Sequence, residues 1–448
     1  MNTIKHIRAR EILASGGSPT VEVEVILENG TKGCASVSYG ASAGSKEAFV
    51  LRDEDPKRYY GKGMLKAVAN VNEKIAPLII GHDPSDQRGI DKLMIDADGT
   101  ENKKNFGANA ILGVSMAVAR AAALDANLEL YQYLDSCYML HATFDRLPKP
   151  MVVMVEGGVH ADKSTDLQEY LISALHDDWP AKENVRMEME IYEALKQNLK
   201  KIGVSTNVGN EGAFAPFGIA SNEKPLEYLM EAITAAGYKP GSDAGLSIDA
   251  AASEFCAPNP SPQRASGSGV INNYLYQLKT EKRLLDAGHL LKMYSEWFKK
   301  YPIVTFEDGL SEFDWQNWPK LLAIAQTDTV RAESRTSPIK IVTDDLTVTN
   351  TKLLKKAIEM RAANAILIKL NQAGTVTETM DACILAKKNN FATIPSHRGG
   401  GETNDTFLVD LAVAIGAEWI KVGPTRGERV CKYNRLMKIE ELLSTNHK

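Results

Sequence analysis

Three carboxylates stand at or beside the ends of apolar runs: GLSID ends at Asp249, PIVTFED carries Glu307 and IKIVTDD carries Asp344. Hard oxygen donors without accompanying cysteines suit Mg²⁺ better than Zn²⁺. A magnesium ion held by them can polarise a substrate carboxylate and stabilise the charge that develops when the neighbouring carbon loses a proton. Lys369 closes the run NAILIK, where burial and a nearby cation such as Lys421 lower an ammonium pKa enough to make a base. A lone lysine is more often a solvated or ion-paired surface group. The apolar residues before Lys369 and the three carboxylates upstream weigh against that reading.

A second cluster lies earlier, in Gly157-Gly158-Val159-His160, Gln168-Glu169 and Gly209-Asn210-Glu211-Gly212. Paired glutamates such as Glu169 and Glu211, one of them kept protonated, can donate a proton to a departing hydroxyl, as dehydration requires. His160 and Arg398 offer positive or donor groups to an anion. Any one glutamate among glycines is more often an ordinary loop charge.

Residues so far apart need a scaffold that gathers strand ends. Beyond Pro150 the chain alternates short apolar runs with helical stretches, and the runs end at Asp249, Glu307, Asp344, Lys369, His397-Arg398 and Lys421. The last four positions stand roughly 25 residues apart, near the ~30 residues per βα unit of a barrel of about 250 residues. An α/β fold with a (β/α) barrel is therefore predicted, its site at the C-terminal strand ends. Before it, TVEVEVIL from Thr20 to Leu27 alternates as a half-buried antiparallel strand and runs into the turn Glu28-Asn29-Gly30. The Ala-rich ANAILGVSMAVARAAALDA reads as helix, making the first domain α+β. Prolines 148 and 150 punctuate its end, and the domains are drawn at 1–145 and 146–448. The Pro/Ser/Gly-rich 256–269 reads equally as an active-site lid or a solvated insertion.

Composition narrows the classes of function. An apolar fraction of 44% and a charged fraction of 24% are those of a globular chain, and no membrane span is indicated. A net charge of −5 argues against a nucleic-acid binder with a broad basic face and leaves room for a local basic pocket that takes a small anionic carboxylic acid. The five scattered cysteines form no C-x-x-C pair and read as reduced thiols. The opening MNTIKHIRAR has no apolar signal region, so a cytoplasmic setting is expected.

The motifs AREILASGGSPTVEVEV, GASAGSKEA, NFGANAILGVSMAVARAAA, VGNEGAFAP, FEDGLSEFDW, TDDLTVTN, ILIKLNQAGTVTET and SHRGGGET, in this order, resemble the enolase (phosphopyruvate hydratase) family from about Ile7 to Leu443. The resemblance implies an N-terminal α+β capping domain, an enolase-like modified (β/α)8 TIM barrel, two Mg²⁺ ions per site and a homodimer. It further implies Asp249, Glu307 and Asp344 as ligands of one magnesium and Ser42 of the second, with Lys369 as the α-proton base. Glu211 corresponds to the acid at the leaving hydroxyl, with Glu169 beside it. Gln168, Lys421, His160, His397 and Arg398 correspond to carboxylate, phosphate and electrostatic contacts, and Ala41 and Gly399 occupy substrate-contacting positions.

Departures from the family pattern cluster near the substrate. S-R-G-N-P-T reads Ser15-Gly16-Gly17-Ser18-Pro19-Thr20, S-G-A-S-T-G reads Tyr39-Gly40-Ala41-Ser42-Ala43-Gly44, and N-G-G-S-H reads Glu156-Gly157-Gly158-Val159-His160. G-D-E-G-G becomes Gly209-Asn210-Glu211-Gly212-Ala213, and R-S-E-R becomes Arg426-Gly427-Glu428-Arg429. S-H-R-S-G-E-T becomes Ser396-His397-Arg398-Gly399-Gly400-Gly401-Glu402-Thr403, losing a serine and gaining a glycine. Loss of a hydrogen bond to a charged ligand costs about 1.5–3 kcal/mol. Three functions are therefore expected in descending order: dehydration of 2-phosphoglycerate, dehydration of a related phosphorylated or phosphonate acid, and binding without catalysis.

Overall fold

The computed structural model describes residues 2–40, 44–258, 263–264, 270–271, 274–327 and 338–445. Strands β1 (Ile4–Leu13), β2 (Pro19–Leu27) and β3 (Lys32–Ser36) form an antiparallel sheet in that order. The alternation expected of β2 holds: Val21, Val23, Val25 and Leu27 are buried, while Glu22 and Glu24 are half-buried on the other face. Gly30, at φ +88°, closes the predicted turn and donates its N–H to the Leu27 carbonyl at 2.9 Å.

The apolar face is covered by the helix Ala108–Asp125. Its alanines and two glycines set the spacing. A Cβ on Gly33 would lie 2.2 Å from the Ala117 carbonyl oxygen, and one on Gly113 would lie 2.7 Å from Val23. The helix is long and apolar enough to cross a membrane, yet most of it is buried inside this domain as a core element.

The second part is an eight-stranded sheet built from β4 (Lys149–Glu156), β5 (Glu169–Ala174) and β6 (Ala244–Asp249), followed by five later strands. After β6, β7 (Cys256–Pro258) joins β10 (Tyr274–Leu278) and β11 (Arg283–Asp286) in a small antiparallel sheet, and β8 (Gln263–Arg264) pairs with β9 (Val270–Ile271). Residues 259–262 and 265–269, on which the lid-or-insertion reading chiefly rests, lie outside the described residues. The barrel resumes with β12 (Ile303–Glu307), β13 (Lys340–Thr343), β14 (Ala365–Ile368), β15 (Ala392–Pro395) and β16 (Trp419–Val422). Parallel pairing runs from β6 through β12 to β15 and from β16 to β4, and a Ser396–Lys421 bridge brings β15 against β16. The sequence predicted a (β/α) barrel, and the resemblance a modified one. The modification is β5, which runs antiparallel to both β4 and β6.

Alternation along the strands divides the core. Met151, Val153, Leu171, Val342, Ala365, Leu367, Ile394 and Trp419 pack together in one cluster, while Ile366, Ile368 and the opposite faces of the other strands pack in the larger core with the helices. The first domain meets the barrel beside the site. Arg120 forks onto Asp405 at 2.7 and 2.6 Å, and Tyr39 and Gly401 exchange backbone hydrogen bonds of 3.0 and 2.8 Å.

Candidate active site

Register places the carboxylates. Asp249 and Glu307 end adjacent parallel strands as direct partners, and Asp344 follows the last residue of β13. Because β5 is reversed, its first residue, Glu169, sits at this same end of the barrel, opposite Asp249 on one side and Glu156 on the other. Lys369 follows β14, His397 and Arg398 lie just beyond β15, and Lys421 lies within β16.

Two lysines tie the carboxylates together. The buried Lys421 ammonium donates to Asp249 Oδ2 at 3.0 Å and Glu307 Oε2 at 2.7 Å and is ion-paired with Glu169 Oε2 at 2.8 Å. Lys369 is ion-paired with Asp344 Oδ2, whose other oxygen accepts from Gln372 at 2.8 Å. This corrects the expectation of a lysine with a lowered pKa. Burial does pull Lys369 down, but the Asp344 carboxylate overcomes it and holds the ammonium above the ordinary lysine value. Lys421 is raised as well: burial opposes its charge, and Asp249, Glu169 and Glu307 outweigh that. Burial pushes Asp344 up too, yet Lys369 and Arg398 hold it below the usual carboxylate range.

Glu211 lies among imidazoles. Its Oε1 is 3.3 Å from His397 Nε2 and 3.7 Å from His160 Nδ1, and His160 Nδ1 is 3.4 Å from Glu169 Oε1. Burial pulls both histidines below the ordinary imidazole value, against the opposing pull of Glu211, and their ring nitrogens lie beside the Glu211 carboxylate. Within the glutamate pair the environments diverge. Burial and the Glu211 charge raise Glu169 well above its ordinary value, whereas His397 and His160 overcome burial and keep Glu211 low. The paired carboxylates anticipated from sequence are thus present, with the proton favoured on Glu169.

Arg398 is buried and forks onto Glu47 at 3.1 and 3.3 Å. Its charge therefore reaches the cavity as half of an ion pair. Gln168 is buried with Oε1 unpartnered, and its backbone N–H donates to the Asp249 carbonyl at 3.1 Å. Gly399 backs onto the acid cluster: a Cβ there would lie 2.6 Å from both Glu211 Oε1 and His160 Cε1. Ala41 and Ser42 lie outside the described residues.

Sequence reasoning missed several members. Asp308 accepts the backbone N–H groups of Asp344 at 3.0 Å and Asp345 at 2.8 Å, fixing the loop after β13. Gln372 and Glu47 brace Asp344 and Arg398. The doubled acids in FED and TDD were the available signal for Asp308 and Asp345, while nothing local marks Glu47, which reaches the barrel from the first domain.

One cavity is lined by His160, Glu169, Glu211, Asp249, Lys369 and Lys421 among others. The donor set around it fits a hard cation. Glu307 Oε1 is buried without a partner, and burial with Asp249 drives that carboxyl well above its ordinary value. Ligand-type oxygens of Asp308, Asp344 and Asp345 lie within 4.8 Å of one another. Excess buried carboxylate of this kind is relieved by a bound cation. Residues 4–134 match the family model of the enolase N-terminal domain, and residues 145–448 match that of the enolase C-terminal TIM barrel domain. With both domain models matched in order along nearly the whole chain, and a barrel whose reversed strand delivers Glu169 to the acidic end, the chain belongs to the enolase family of lyases.

Proposed function

We propose that the protein catalyses the magnesium-dependent interconversion of 2-phospho-D-glycerate and phosphoenolpyruvate. The observation that carries this reading is that Lys369 and Glu211 line one cavity together with the strand-end carboxylates Glu169, Asp249 and Asp344. Asp249, Glu307 and Asp344 would hold magnesium, which when bound supplies positive charge against a substrate carboxylate. Lys369 is the group that would take the α-proton; with magnesium held by Asp344 its ammonium would lose part of its counter-charge and would move toward the neutral form. Glu211 gives a proton to the departing hydroxyl. Its carboxyl is held low in the free site, and an anionic substrate beside it raises it toward the form that can donate. Gln168, His397, Arg398 and Lys421 orient the carboxylate and phosphate.

Gly399 favours a second reading, a related phosphorylated or phosphonate acid, because the family's serine hydroxyl is absent where phosphate contact is expected. The test is appearance of the enol product in the ultraviolet with pure, Mg²⁺-saturated protein. Lys369→Ala is expected to lose both dehydration and solvent-deuterium exchange at the α-carbon, by about 10²–10⁴-fold. Glu211→Gln is expected to lose dehydration and keep exchange. Absence of wild-type turnover, in an assay where another enolase works, overturns the first reading; exchange on an analogue acid alone supports the second.

A further inference from the structure

Glu156 stands where the family pattern has asparagine, at the end of β4, and is fully buried. Its Oε1 accepts two backbone N–H groups, from Glu211 at 3.0 Å and Ala213 at 2.8 Å. These span the turn that carries Glu211, whose Gly212 has φ +92°. The second oxygen, Oε2, is buried and finds no partner. It occupies the space beside Gly209, where a Cβ would lie 2.2 Å from it. A carboxyl that spends one oxygen on two amides of a neighbouring loop and leaves the other unused is bound for its reach.

We infer that Glu156 is a positioning residue that fixes the 209–213 turn and so sets where the Glu211 carboxyl meets the substrate. The inference rests on the reading of Glu211 as the group at the departing hydroxyl. Clamping two amides of one turn removes the backbone freedom that would swing Glu211 relative to His397 and His160, and a misplacement of about 1 Å at a reacting group can cost on the order of 10²-fold in rate. Burial, and then the Glu211 charge, lift the Glu156 carboxyl to about 8, so a neutral side chain of equal length is a fair replacement.

Two substitutions separate reach from charge. Glu156→Asp keeps the carboxyl and shortens it; Glu156→Gln keeps the length and an acceptor oxygen. In Glu156→Asp, hydrogen–deuterium exchange of the peptide spanning 209–213 is expected to accelerate while the rest of the barrel is unchanged, and kcat for dehydration to fall at least ~10-fold with KM within about twofold. Exchange of the substrate α-proton, which depends on Lys369, is expected to persist. Glu156→Gln is expected to match wild type in all of these. Unchanged amide exchange in Glu156→Asp overturns the inference, as does a Glu156→Gln variant more impaired than Glu156→Asp. Failure of the underlying reading is seen separately: it appears as full dehydration by Glu211→Gln, or as no wild-type turnover, while amide exchange still reports whether Glu156 holds the turn.

Discussion

The Lys421 ammonium lies 2.7 Å from Glu307 Oε2, and two further carboxylates, Glu169 and Asp249, close around the same nitrogen. Lysine here supplies these carboxylates with the same counter-charge that a bound cation would offer. Lys421→Met strands three buried carboxylates, and breaking a buried ionic cluster from one side costs about 3–5 kcal/mol. Thermal unfolding in chelator is expected to show this loss. Added Mg²⁺ is expected to recover part of it, because Asp249 and Glu307 regain a counter-charge. An equal loss of melting temperature with and without Mg²⁺ counts against the placement of the cation at these residues.

Gly399 suggests an obvious repair, restoring the family's serine, and the geometry argues that it fails. The new Cβ would stand 2.6 Å from Glu211 Oε1 and 2.7 Å from His160 Nε2, so one of these groups must move. Forced overpacking costs about 1–3 kcal/mol. Gly399→Ser is expected to lower kcat for 2-phosphoglycerate by roughly 10–100-fold, because displacing Glu211 or His160 by about 1 Å misplaces a group beside the reacting atoms. A gain in kcat/KM would show instead that the lost hydroxyl is the dominant effect.

The limits of the sequence are instructive at these same residues. Asp249, Glu307, Asp344 and Lys369 were legible because each closes or follows an apolar run of strand length, and a barrel sends strand ends to one place. Glu169 could be picked out only as half of a carboxylate pair. It begins its strand, and its arrival beside Asp249 depends on the reversal of β5, which no periodicity encodes. The charge state of Lys369 was misjudged because burial was visible in the apolar run and the Asp344 contact was not. Glu47 was invisible for a similar reason, since it becomes part of the site only when the first domain docks on the barrel.

Glu188 offers a test of the fold independent of catalysis. It lies on the helix Ala181–Lys201, fully buried; Oε1 accepts the Ala174 N–H at 3.1 Å, and Oε2 has no partner. Burial raises its pKa well above the ordinary carboxylate value, with only that backbone hydrogen bond opposing. The folded pKa therefore exceeds the unfolded one, and the group's contribution is fully present below the unfolded pKa. As pH rises past the ordinary carboxylate range, the unfolded chain has released the proton that the folded chain retains. Stability then falls by up to ~1.4 kcal/mol per pH unit from this group until its folded pKa is passed. Glutamine keeps the acceptor for Ala174 and carries no proton to lose. The difference in melting temperature between Glu188→Gln and wild type is thus expected to grow in favour of the variant between about pH 5 and pH 8. A difference that stays constant across that range, measured in parallel melts at matched ionic strength, would mean that Glu188 folds with its charge.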